Sequence, residues 1–282
     1  MANKILCSTG GITSRRNGYD YTLLEKLAEE LECDGFELMI DSVWYGKREQ
    51  LKAYLKEKAF YIPVVHCEKE IGELISRGSE EEQKQAFYEF EMDCDIAKAI
   101  GAKKLVLHLW GGMASDGHFQ RNIEAYPKLN KIAQEYGLRL MIENVVCNVE
   151  DPMKHLCELR ELYPDICFVF DTKMAAFHGQ LELLYEPKYT WLWEDKYIEH
   201  YHVNDYAGGY KDWPNLRTLP VGKGKLNLKR FLQFVNKTGY EGYFTAEGNA
   251  QLGDGMVDVE TLNQQFRKMK EFLGEIEKNR KA

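Results

Sequence analysis

Short apolar segments, too brief for helices, alternate along the whole chain with longer stretches of helical periodicity. Eight segments stand out: KILCS (4–8), DGFELMI (34–40), YIPVVH (61–66), KKLVLH (103–108), LRLMIE (138–143), ICFVFD (166–171), IEHYHV (198–203) and GYFTAE (242–247). Each predicts a strand. Between them lie helices with legible ends. Ser79 with Glu82 reads as a capping box, and Phe87, Phe90, Cys94, Ala97 and Ile100 follow at helical spacing. Asp151-Pro152 reads as an N-cap with a first-turn proline, and Gly137 is placed to end the helix through Tyr136. Val259, Leu262, Phe266, Met269 and Leu273 outline a last amphipathic helix. Strand–helix alternation predicts a parallel sheet in an α/β protein. Eight units of about 35 residues predict a single (β/α)8 TIM barrel domain over residues 1–282. A doubly wound open sheet fits less well, because Gly10-Gly11 after the first strand is not GxGxxG and no P-loop occurs.

Composition narrows the functional classes. The chain is 44% hydrophobic and 29% charged, and 37 basic against 45 acidic residues give a net charge of −8. A general electrostatic grip on nucleic acid or on a membrane surface is therefore not expected. The apolar run in MANKILCSTGG is too short for a signal peptide, and no run is long enough to span a bilayer, so the expected location is cytoplasmic. Cys7, Cys33, Cys67, Cys94, Cys147, Cys157 and Cys167 are odd in number and contain no CxxC pair, which fits buried thiols in a reducing compartment.

The strand ends carry the chemistry. His66 closes the third segment, His108 the fourth, Glu143 the fifth, Asp171 the sixth and Glu247 the eighth, while His202 lies one residue before the end of the seventh. In a parallel barrel the reacting groups sit at such C-terminal ends. Counting back in twos from Glu143 gives Met141 and Arg139, and from Glu247 gives Thr245 and Tyr243, so both acids fall on the less apolar face. Singly, each residue has a plain explanation: a carboxylate can cap the next helix, and a histidine can be a hydrogen-bonded core residue. Together, three converging acids would repel one another, and a divalent cation is their natural partner. Two Glu, one Asp and one His make a mostly hard-oxygen set. It favours Mn2+, with Mg2+, Co2+, Fe2+ or Zn2+ as alternatives, over a structural zinc.

The strings LMIENVV, CFVFDT, HYHVND, LPVGKGKLNLKRF and FTAEG resemble successive signatures of the xylose-isomerase-like TIM-barrel superfamily, the sugar isomerase/epimerase and AP-endonuclease family 2 group. The resemblance runs over nearly the whole chain and is weaker in its first third. It implies that Glu143, Asp171, His202 and Glu247 ligate one divalent metal, and that Glu143 and Glu247 are the catalytic acid and base. Two positions depart from the pattern. Met174 stands where many members have a histidine, and Gly208 where ketose 3-epimerases have an arginine. Leu216, Arg217 and Thr218 stand where the endonuclease branch has further metal ligands, which argues against a trinuclear zinc cluster.

The expected activity is that of a metal-dependent isomerase or epimerase of a ketose, aldose or related polyol, phosphorylated or not, working through a metal-stabilised enediolate. A lyase on a keto-inositol or C-glycoside, or a carbohydrate-binding barrel without turnover, are the alternatives. His66, His108, Trp44, Trp110, Lys173 and Asp205 are the candidate substrate-binding residues. Indoles suit sugar C–H faces, and Lys173 suits a phosphate or carboxylate. Asp205 is expected to orient His202 or touch substrate. Arg15, Arg16, Lys211, Arg217 and Lys223 read mostly as solvated charge, and GGMASDG (111–117) as either a lid or a plain loop. The expected partner is a small sugar or polyol. A homo-oligomer is left open.

Overall fold

The computed structural model describes residues 3–280, with side chains described through residue 274. All eight expected strands are present: β1 (Lys4–Ser8), β2 (Gly35–Met39), β3 (Val64–His66), β4 (Lys104–Leu107), β5 (Arg139–Glu143), β6 (Phe168–Asp171), β7 (Ile198–His202) and β8 (Tyr243–Ala246). They close in chain order into one parallel (β/α)8 barrel, with β8 beside β1. The α-helices are α1 (Leu23–Glu30), α2 (Arg48–Lys58), α3 (Ile71–Arg77), α4 (Glu80–Ala99), α5 (Phe119–Glu135), α6 (Pro152–Leu162), α7 (Thr172–Phe177), α8 (Trp191–Glu194), α9 (Leu228–Lys237) and α10 (Val259–Arg280). None among the described residues is long and apolar enough to cross a membrane. β3 begins only at Val64 because Pro63 has no N–H for a ladder, although its carbonyl still accepts Lys103 N–H at 3.1 Å.

The chain parts into two compact units, residues 1–36 with 171–282, and residues 37–170. In the first, Ile5 and Tyr201 both pair with Phe244 of β8. Leu262, Phe266 and Met269 of α10 and Phe231 and Leu232 of α9 are fully buried, as their helical spacing requires. The Asn263 side chain ties α10 to the end of α1: its oxygen accepts Glu32 N–H at 2.8 Å and its amide donates to Glu30 O at 2.8 Å.

In the second unit, β2 to β5 pair in parallel, with Val64 and Leu140 flanking β4 at Lys104 and Leu105 respectively. The capping box at Ser79 and Glu82 opens α4, and Asp151 caps α6 by accepting Lys154 N–H at 2.9 Å. Pro127 lies inside α5 and cannot donate to Ile123 O, four residues back. The Tyr163 hydroxyl donates to that carbonyl instead, at 2.9 Å. Gly72 of α3 packs directly on the chain after β4, since a Cβ there would fall 2.2 Å from His108 O. Asn122 fastens the same junction by donating to Gly72 O at 2.9 Å and Leu109 O at 2.6 Å.

Candidate metal centre

In the unit formed by residues 1–36 and 171–282, three expected ligands come together. Asp171 ends β6 and caps α7: its Oδ1 accepts Met174 N–H at 2.6 Å. Its Oδ2 accepts the Asn204 amide at 2.6 Å, and the second hydrogen of that amide goes to Glu247 Oε2 at 2.8 Å. Asn204 Oδ1 in turn accepts Glu247 N–H at 2.9 Å. His202 Nδ1 stands 3.5 Å from Glu247 Oε2. Asp171, His202 and Glu247 offer ligand atoms within 4.8 Å of one another, and the first two are fully buried. On the same inner face His200 Nε2 lies 3.0 Å from Thr245 Oγ1, which agrees with the alternation that points Thr245 the same way as Glu247. Asn204, which sequence reasoning passed over, is the residue that organises these carboxylates.

In residues 37–170, Glu143 ends β5 and is buried. Its Oε2 accepts from His108 Nε2 at 2.7 Å, with His66 Nε2 at 3.4 Å from the same oxygen. His66 Nδ1 lies 2.7 Å from Cys67 O, an acceptor only, which places a proton on Nδ1. Burial pushes His108 down to about 4, despite the opposing charge of Glu143, so its Nε2 meets Glu143 as a neutral N–H donor.

A second buried group in this unit, Asp116, Cys147 and His155, also has ligand chemistry. Asp116 is already filled. It accepts the N–H groups of Asn148, Val149 and Glu150 at 2.7–2.9 Å and faces His155 Nε2 at 3.2 Å. Burial raises the Asp116 carboxyl, but these donors outweigh it and hold it well below the usual range. Asp116 thus ties the 111–117 segment to residues 148–150.

The family model described as xylose isomerase-like TIM barrel matches residues 26–274. The chain belongs to that family. No curated protein sequence matches it. Among solved structures, a D-tagatose 3-epimerase-like protein is similar at 19% identity and a TM-score of 0.72, covering 99% of this chain and 100% of that one. The IolI protein with a bound zinc atom is similar at 16% identity and a TM-score of 0.72, covering 96% and 98%. The 3-keto-D-glucoside 4-epimerase YcjR from E. coli follows at 15% identity and a TM-score of 0.66, covering 95% and 99%.

Four of the expected substrate-binding residues of this xylose isomerase-like barrel, Trp44, Trp110, Lys173 and Asp205, are buried. Trp110 has no exposed surface: its indole N–H donates to Val145 O at 3.0 Å, and the ring meets Phe119 and His155 edge-on. A buried indole needs such a partner, and Trp110 finds it in the backbone just after β5. Trp44 is likewise wholly buried. Asp205 does not orient His202 through its carboxylate, which accepts the N–H groups of Tyr206, Gly222 and Leu226 at 2.9–3.0 Å. It therefore shapes the loop after β7. Lys173 is buried and donates to Thr218 Oγ1 at 2.9 Å.

Proposed function

We propose that this protein is a divalent-metal-dependent isomerase or epimerase of a sugar or related polyol. One observation carries the reading: Asp171, His202 and Glu247 offer ligand atoms within 4.8 Å of one another, and Glu143, which ends β5, is the fourth ligand of this reading. Three carboxylates and one imidazole fit a hard divalent cation, Mn2+ first, with Mg2+, Co2+, Fe2+ and Zn2+ able to use the same donors. The Asn204 amide supports the assignment by holding one oxygen of Asp171 and one of Glu247 in place. When bound, the metal polarises a substrate carbonyl and its neighbouring hydroxyl. The names of the similar structures, a tagatose 3-epimerase-like protein, a zinc-holding IolI and a keto-glucoside epimerase, point to the same substrate class.

Glu143 and Glu247 act as base and acid. One takes the proton from the carbon beside the carbonyl, and the other returns a proton to the adjacent carbon or to the opposite face. The neutral His108 N–H holds Glu143 in its reactive orientation, and His66, with Nε2 turned to the same oxygen, lies ready to meet a substrate hydroxyl. Met174 and Gly208 set this chain apart from the ketose 3-epimerase pattern, so the substrate is sought across ketoses, aldoses and keto-polyols. The test is a sugar screen with Mn2+-loaded protein in D2O. Deuterium should enter the substrate carbon while the elemental composition of the product otherwise matches that of the substrate, and Glu143→Gln or Glu247→Gln should abolish this while leaving the circular dichroism spectrum intact. Full exchange in both variants would overturn the acid–base assignment, and loss of water from the product would make the protein a lyase.

A further inference from the structure

Asp116, Cys147 and His155 are buried, and each offers a ligand atom within 4.8 Å of the others. His155 Nε2 stands 3.2 Å from Asp116 Oδ2. Two donors bound to one tetrahedral zinc at about 2.0–2.1 Å stand about 3.3 Å apart, so this pair can share an ion with almost no movement. The other ring nitrogen is placed as a metal-bound histidine requires. His155 Nδ1 lies 3.3 Å from Glu158 Oε2 and can donate to it, which leaves Nε2 for the ion. Phe119 stacks on the imidazole, with centroids 3.6 Å apart, and keeps the ring in that orientation.

The hydrogen bonding calls for more than a neutral histidine. A neutral imidazole carries one ring proton, yet His155 has a carboxylate at each nitrogen. A second proton or a cation must therefore stand on the Nε2 side. Cys147 favours the cation, because a thiol gains little beside an imidazolium, whereas sulfur, imidazole and carboxylate together form a borderline-soft set that suits Zn2+. The N–H groups of Asn148, Val149 and Glu150 hold the Asp116 carboxylate, as outer hydrogen bonds steady a ligating carboxylate. Asp116 and His155 also form part of the wall of a pocket of about 430 Å³ beside α5 and α6, which gives an ion a way in. Glu150, Glu158 and Glu161 line the same pocket, and its one lysine, Lys154, is engaged by Glu150 at 2.6 Å.

We propose that Asp116 Oδ2, Cys147 Sγ and His155 Nε2 hold a zinc ion, with water from the pocket as its fourth ligand. Binding expels the thiol proton, and any proton on Nε2, to water. The ion clamps the 111–117 segment and the chain after β5 to α6. None of these donors is a ligand of the proposed catalytic centre, and the two sets differ in kind, one soft enough for zinc and one mostly hard oxygen. The inference stands or falls apart from the catalytic reading.

Co2+ is the probe, since a cobalt–thiolate bond gives a near-ultraviolet charge-transfer band that oxygen and imidazole ligands do not. The full chain, stripped with chelator and titrated with Co2+, should show this band, and Zn2+ should then erase it by displacing Co2+. Cys147→Ala should abolish the band. Asp171→Asn, which breaks the proposed catalytic set, should keep it. The Zn2+ concentration needed to erase the band should rise at least about tenfold in His155→Gln and in Glu158→Ala. Glu158 is partly exposed, so its variant keeps the test valid if His155→Gln fails to fold. Visible Co2+ absorption without the ultraviolet band would overturn the inference. So would a band that survives Cys147→Ala, which would mark adventitious binding at the partly exposed Cys33 or Cys157, or a Zn2+ requirement unchanged by Glu158→Ala.

Discussion

His108 Nε2 lies 2.7 Å from Glu143 Oε2, both side chains buried, and the imidazole is neutral because burial outweighs its attraction to the carboxylate. The pair is an oriented donor and acceptor rather than an ion pair. His108→Leu removes the donor and should lower turnover about 10–100-fold, as loss of a group that orients a metal-site residue commonly does. His108→Gln retains an N–H and should recover part of that loss. Equal turnover in the two variants would count against an orienting role.

Asn204 makes a similar argument for the cation. Its two amide hydrogens hold Asp171 and Glu247, so Asn204→Leu leaves both carboxylates to reorient. Mn2+ affinity by calorimetry should fall about 10–100-fold. Asn204→Asp should lower the unfolding midpoint of the metal-free protein, since it places a third negative charge between two others. Affinity unchanged in Asn204→Leu would remove this residue from the centre.

The Tyr163 hydroxyl replaces the N–H that Pro127 lacks. Tyr163→Phe should therefore cost about 1 kcal/mol in urea unfolding. In a Pro127→Ala background the helix supplies its own donor to Ile123 O, and the cost of Tyr163→Phe should shrink towards zero. An identical cost in both backgrounds would show that the tyrosine acts by packing alone.

Burial lifts the Glu68 carboxyl to about 7, helped by the charges of Glu70, Glu89 and Asp41 and opposed by the Glu70 N–H. The folded chain thus keeps a proton that the unfolded chain releases near 4.5. Its stabilising contribution is complete below that value and is lost as pH rises towards about 7. Glu68→Gln should flatten the decline in unfolding midpoint across this window. A buried Asp93, raised in the same direction and holding Tyr45 and Glu68 N–H, leaves some slope in the variant.

The barrel was legible because each strand carries a compact apolar run and each helix an independent period, and both survive local errors. The strand-end residues were legible for the same reason, since alternation fixes the direction of Glu143, Asp171 and His202 while the ladder lasts. Beyond the last paired residue it no longer does. Trp110 and Asp205 sit past β4 and β7, where direction is set by which N–H or carbonyl lies within reach. The indole of Trp110 turned to Val145 O, and Asp205 to the N–H groups of its own loop. Asn204 continued the inward count from His202 by one step, yet an asparagine after a strand reads equally as a turn residue. Pro127 within α5 was not foreseeable either, because its tolerance depends on a hydroxyl from residue 163.

Asp171 answers to two masters. One oxygen begins helix α7 and the other faces the centre, so the position is constrained by folding and by chemistry at once. Asparagine satisfies the first demand about as well as aspartate and fails the second. Asp171→Asn is accordingly the substitution that separates them, a chain that keeps its helix and loses its cation, whereas alanine confounds the two. A lineage that abandoned catalysis but kept this barrel would be free to drift there first.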